Sequence, residues 1–141
     1  MNTEWEKKLL DAAKRSSEAE EKEFLRLVDM AEGNCSLDAV RSLMKTFSDE
    51  PDYGTQERVE SVLATAKVED VTRGIIEELP RLMAEAPKWT ESLVGVEVDN
   101  RLELLASISA GMPDNIKDCL RQLTQSEAFI DLYPEAKKLK V

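Results

Sequence analysis

Apolar residues recur every three or four positions along nearly the whole chain, the period of a helix and not of a strand. Thr3 with Glu6 reads as a capping box that opens a first helix, running to about Arg15. Ser17 with Glu20 opens a second, with Leu27, Met30 and Ala31 as its apolar edge and Gly33 as its stop. The two are also readable as one long helix with a polar waist at Ser16 and Ser17. Ser36 caps a third helix, whose face is Leu37, Val40, Leu43, Met44 and Phe47. The run from Ser48 to Gly54, punctuated by Pro51, is a loop. Thr55 caps a fourth helix, with Val59, Val62, Leu63 and Ala66 inside.

A fifth helix runs from about Glu69 through Val71, Ile75, Leu79, Leu82 and Met83. Pro80 falls inside that pattern and predicts a bend, because its ring removes one backbone hydrogen bond while the apolar spacing continues. A sixth starts at Pro87 and turns Trp89, Leu93 and Val96 inward. Val94, Val96 and Val98 also alternate as in a strand, but no second strand exists to pair with them. Leu102, Leu105, Ile108 and Met112 make the seventh face; Asp114 caps an eighth helix with Ile116, Cys119, Leu120 and Leu123. Phe129, Ile130 and Tyr133 open a last element, and Pro134 a final turn with Leu139. The expected fold is all-α: one domain over residues 1–141, with about eight short antiparallel helices. Residues 1–35 form N-terminal helices, and residues 36–141 an array of stacked α-hairpins of HEAT-like size.

Composition narrows the chemistry. The 141 residues include no histidine, which removes Ser-His-Asp and Cys-His nucleophile systems and histidine-ligated zinc. Cys35 and Cys119 are far apart, do not make a four-ligand metal site, and read as core thiols. No stretch is apolar for long enough to cross a membrane, and no signal peptide is visible, so a cytoplasmic protein is expected. Residues 49–60 imitate a calcium loop, with Asp49 first, Gly54 sixth and Glu60 twelfth. Pro51 and Tyr53 occupy the third and fifth places, where oxygen ligands are needed, so an acidic interhelical loop is expected instead. The paired carboxylates Glu20-Glu21, Asp49-Glu50, Glu69-Asp70 and Glu77-Glu78 come with no metal-ligand spacing or Gly-rich turn. They read as solvated surface. Neither catalysis nor a cofactor is expected.

The net charge is −10, and it is uneven. Residues 48–100 hold thirteen acidic and five basic side chains, a net of −8. Such a surface repels nucleic-acid phosphates and attracts a cationic protein. Asp49, Glu50, Asp52, Tyr53, Glu97 and Asp99 are expected at exposed loop tips and helix ends, as contacts for that partner. Trp89 has two readings, core residue or partner anchor. Lys137, Lys138 and Lys140 suit the end of a helix.

Three stretches between residues 55 and 139 stand together: Ile75-Ile76-Glu77-Glu78-Leu79-Pro80-Arg81-Leu82, Ala86-Pro87-Lys88-Trp89-Thr90-Glu91-Ser92-Leu93, and the apolar helix around Leu102 and Leu105. In them the chain resembles the all-α immunity proteins of bacterial polymorphic toxin and contact-dependent growth inhibition systems, in particular the immunity protein 30 type. The resemblance implies a protein that binds and neutralises a cognate toxin domain, with no catalytic residue of its own. An acidic, helical chain suits a cationic, nuclease-type toxin, met 1:1 by side chains that mimic the substrate's phosphates. The competing reading is a small helical-repeat adaptor for a cationic protein or peptide unrelated to toxins. An enzyme and a DNA mimic are further alternatives.

Overall fold

In the computed structural model, which describes residues 3–52 and 54–141, the chain is helical from end to end, with no strand among the described residues. The elements are α1 (Thr3–Ala12), α2 (Glu18–Asp29), α3 (Leu37–Met44), α4 (Thr55–Leu63) and α5 (Val68–Glu77). They continue as α6 (Leu79–Glu85), α7 (Pro87–Asn100), α8 (Leu102–Ala110), α9 (Asp114–Thr124) and α10 (Glu127–Leu132), and close in a 3₁₀ turn, Pro134–Lys138. The all-α expectation holds, with ten α-helices among the described residues in place of about eight.

One added helix comes from a split of the expected fifth helix at Glu78, and the other is the last element, which forms α10; the start at Pro87 is as expected. Pro87 pushes the residue before it out of the helical region, and Ala86 sits at φ −143° and ψ 58°. That ends α6 and starts α7 in a new direction. At Pro80 the chain does bend, at Glu78, sharply enough that two helices meet there with no loop between them. Hydrogen bonding continues on both sides, with Glu78 N donating to Gly74 O at 3.0 Å and Leu82 N to Glu78 O at 2.9 Å. Leu79 and Leu82 are fully buried, so the apolar face carries across the corner as its spacing required.

Ser17 and Ser36 cap α2 and α3 as expected, and Ser126 caps α10, each accepting the backbone N–H three residues on. Three other expected caps are corrected. Asp114 is the first residue of α9, behind Pro113, and makes no side-chain cap. Thr3 is already helical, and Glu6 reaches α3, where it accepts the Ser42 hydroxyl and pairs with Lys45 at 3.8 Å. Thr55 is the first residue of α4, whose cap comes from Asp52. α1 and α2 are separate: Arg15 turns the chain at φ 49°. Its guanidinium, lowered in pKa by burial, lies 4.7 Å from the Phe24 ring centre and donates to Thr55 Oγ1 at 2.9 Å.

The core is one continuous cluster. Trp5, Leu9, Phe24 and Leu27 from the first two helices belong to it, as do Leu43, Phe47, Ile76, Leu82, Leu105, Leu120 and Phe129. Trp5 satisfies its indole N–H on Leu27 O at 3.0 Å while its ring is buried. α3 packs on α1 and α5, α5 also on α8, α2 on α4, and α6 on α7 and α9. Two expected core residues are exposed instead: Met30 is 49% and Val96 is 44% exposed. On α7 the inward positions are Thr90, Leu93, Val94, Glu97 and Val98, a face rotated away from Val96. Cys35 and Cys119 are free and half-buried.

The C-terminus is held by a close approach. Tyr133, stacked on Phe129 with ring centres 5.0 Å apart, lies directly over Gly95 of α7. A Cβ at Gly95 would overlap the Tyr133 ring. Gly95→Ala should therefore displace Tyr133 and cost about 1–3 kcal/mol, as overpacking does. Thermal unfolding checks this, and Tyr133→Ala in the same chain should remove most of the added penalty of the alanine.

Candidate partner-binding site

The residues expected to meet a partner divide into three groups. Glu50 and Asp99 are exposed, as expected. Tyr53 lies outside the described residues. The others have structural work that the sequence pattern did not reveal.

Asp49 leaves its loop to cap another helix. Its carboxylate accepts the backbone N–H of Lys88 at 2.9 Å and of Trp89 at 3.3 Å, two of the donors left unpaired at the start of α7. Trp89, half-buried, packs beside this bond against Phe47, with ring centres 5.1 Å apart. Asp52 caps α4 in the same manner, accepting Gln56 N at 2.8 Å, Thr55 N at 3.2 Å and the Thr55 hydroxyl. Gln56, buried, closes the turn by accepting Ser48 N at 2.7 Å. The expected solvated loop is thus a staple between α3, α4 and α7.

Burial alone would raise the Asp52 pKa, but the Thr55 hydroxyl, the backbone N–H groups of Gln56 and Thr55, and the charge of Arg15 outweigh it and hold it below the usual range. A depressed carboxylate stabilises the fold above its unfolded pKa, and that contribution is lost as pH falls through the folded value. Asp52→Ala should accordingly cost about 1 kcal/mol at pH 7. The difference from the parent chain should shrink as pH falls below about 4, where the carboxyl of the unfolded chain begins to protonate, and vanish once the folded carboxyl protonates as well. Urea unfolding of both chains at pH 7 and pH 3 checks it.

Glu97 is the clearest correction: it is 1% exposed and not a surface contact. It points inward from α7, accepts the Thr72 hydroxyl of α5, and is paired with Arg101, whose Nε donates to Oε2 at 2.9 Å. Arg101 is 29% exposed and covers this buried charge from the solvent side.

Several other acids are neutralised internally. Glu77 and Glu78 pair with Arg41 at 3.1 and 3.0 Å, and Glu85 with Arg81 at 2.8 Å. Glu50, Glu57, Glu60, Glu69, Asp70, Glu91 and Asp99 make no ion pair among the described residues. These carry the negative field of the middle segment, on α4, the first turn of α5, α7 and the loop before α4.

Glu60 has a distinct setting. Between α4 and α7, over α5, lies an open cavity of about 300 Å³. Leu63, Val68, Val71 and Val96 supply apolar wall, and Glu60, Glu97 and Arg101 the polar groups. Val68 and Val96, at 49% and 44% exposure, are two of the four large apolar side chains most open to solvent. Burial, with Glu57 adding to it, raises the Glu60 carboxyl above its ordinary range.

No protein family, curated protein or solved structure matches this chain. The site therefore rests on its own geometry. No helix is long and apolar enough to cross a membrane, and no group of three or more His, Cys, Asp or Glu side chains is placed to hold a metal ion, both among the described residues. The roles of Asp49, Asp52 and Glu97 are not visible in the sequence. One signal was there: Glu97 and Arg101 stand four apart, the spacing at which a carboxylate and a guanidinium meet on a helix.

Proposed function

We propose that this chain is an immunity protein, binding a cognate cationic toxin domain of nuclease type in a 1:1 complex. It neutralises that domain by covering its active site or an adjacent basic surface. The observation that carries the reading is the set of carboxylates from Glu50 to Asp99 that have no ion pair among the described residues, left over after internal ion pairs and helix caps are subtracted. Such a field speeds encounter with a basic partner and costs nothing to desolvate until contact is made. The stacked rows α1–α3–α5 and α2–α4 support a HEAT-like reading of the first half. The binding role needs no chemistry from the chain itself, only a rigid face.

The test is co-expression with the toxin-bearing product of the neighbouring gene. The two should co-purify at 1:1, and growth arrested by the toxin domain should be restored. Persistent arrest with no complex overturns the reading. An intact complex with a neighbour that has no toxin activity would favour the adaptor role instead.

A further inference from the structure

We propose that the α4–α7 cavity is a socket for one basic side chain of the protein partner, its aliphatic stem against Val68, Val71 and Val96 and its cationic head on Glu60. This deepens the binding role proposed above and rests on it.

Three ionisable groups line the cavity, and two of them cancel: Glu97 and Arg101 are paired, and Glu97 also holds the Thr72 hydroxyl. Glu60 remains, with no hydrogen bond to its carboxylate and no ion pair among the described residues. The cavity therefore carries a single net negative charge on one wall.

Shape and polarity select the occupant further. The remaining wall is mostly aliphatic, and two of its valines are among the most solvent-exposed large apolar residues of the described chain. Covering them with methylene groups is favourable. A small inorganic cation would leave them wet, and an apolar ligand would leave Glu60 unpaired in a partly desolvated place. A fatty or phosphorylated ligand would set like charge against Glu60. Lysine and arginine combine a three- or four-carbon stem with a terminal cation, and such side chains bury the stem while the head finds a charge. A paired cation would also hold Glu60 ionised against the burial that raises its pKa.

The probe is n-hexylammonium, an aliphatic stem with a cationic head, titrated into the full chain and followed by ¹H–¹⁵N correlation spectra. Hexan-1-ol and hexanoate serve as the neutral and anionic forms of the same stem. Amide shifts should concentrate in residues 60–71 and 93–101, with hexylammonium binding most tightly and hexanoate most weakly. Glu60→Gln should weaken hexylammonium about fivefold, to the level of hexanol, while leaving hexanol unchanged. The variant should melt no lower than the parent at pH 7, because a carboxyl whose pKa is raised on folding loses stability as pH rises through that value. Equal binding of hexanoate, shifts centred elsewhere, or indifference to Glu60→Gln overturns the socket. The protection assay separates the two levels. Loss of protection by the parent chain overturns the binding role itself. Full protection by the parent with no probe binding overturns only the socket.

Discussion

Arg101→Met should be among the most destabilising single substitutions in this protein, costing about 3–5 kcal/mol. The reason is the carboxylate it would abandon. Glu97 is 1% exposed, enclosed by α5 and α7, and its second oxygen faces only Arg101. Without the guanidinium a buried charge is left with no counter-ion, and that penalises the folded state. The pair itself is no strong source of stability, since two charges are removed from water to make it. Glu97→Leu with Arg101→Met should therefore recover most of the loss, and Glu97→Leu alone should cost less than Arg101→Met, because Arg101 at 29% exposure can turn to solvent. The coupling between the two positions should exceed about 1 kcal/mol in a double-mutant cycle by urea unfolding. Additive effects would show that the contact carries nothing.

The second large effect concerns association. Glu50→Lys, Glu57→Lys and Asp99→Lys together should slow capture of the cationic partner by about 10–100-fold at low salt, with a smaller difference at high salt. All three side chains are exposed and free of ion pairs among the described residues, so each change should alter stability by no more than about 0.5 kcal/mol. Reversal of Asp49 and Asp52 is the wrong experiment: both cap helices, and lost protection there would report a loosened fold. A reversal of equal charge at Glu18, Glu21 and Glu23 on α2, where Glu18 and Glu23 pair with Lys22 and Arg26, should leave capture nearly as fast as in the parent chain. If the α2 set slows capture and the first set does not, the interface lies on the N-terminal helices.

What the sequence yields is governed by the range of the interaction. Helical periodicity is local, so the all-α class, the caps at Ser17 and Ser36 and the corner at Pro80 could be read from neighbours three or four residues apart. Long-range polar contacts are not encoded that way. Asp49 caps a helix that begins nearly forty residues later, and nothing near Asp49 in the chain marks that destination. A helix face is also defined only to within a rotation of one position. On α7 that uncertainty reversed two residues: Val96 faces out and Glu97 faces in, although hydrophobicity alone argues the opposite. The burial of Glu97 is tolerable because Thr72 and Arg101 meet it there. The candidate site was legible as a region of excess charge. It could not be resolved to residues, because internal pairing decides which acids remain free.

The most direct test of the central claim is inhibition of the toxin domain's nuclease activity by this purified chain, titrated at nanomolar concentrations of toxin and repeated across ionic strength. Activity should fall linearly to an end point at one chain per toxin domain, with an association rate that falls steeply as salt is added. Full nuclease activity in the presence of excess chain would contradict it.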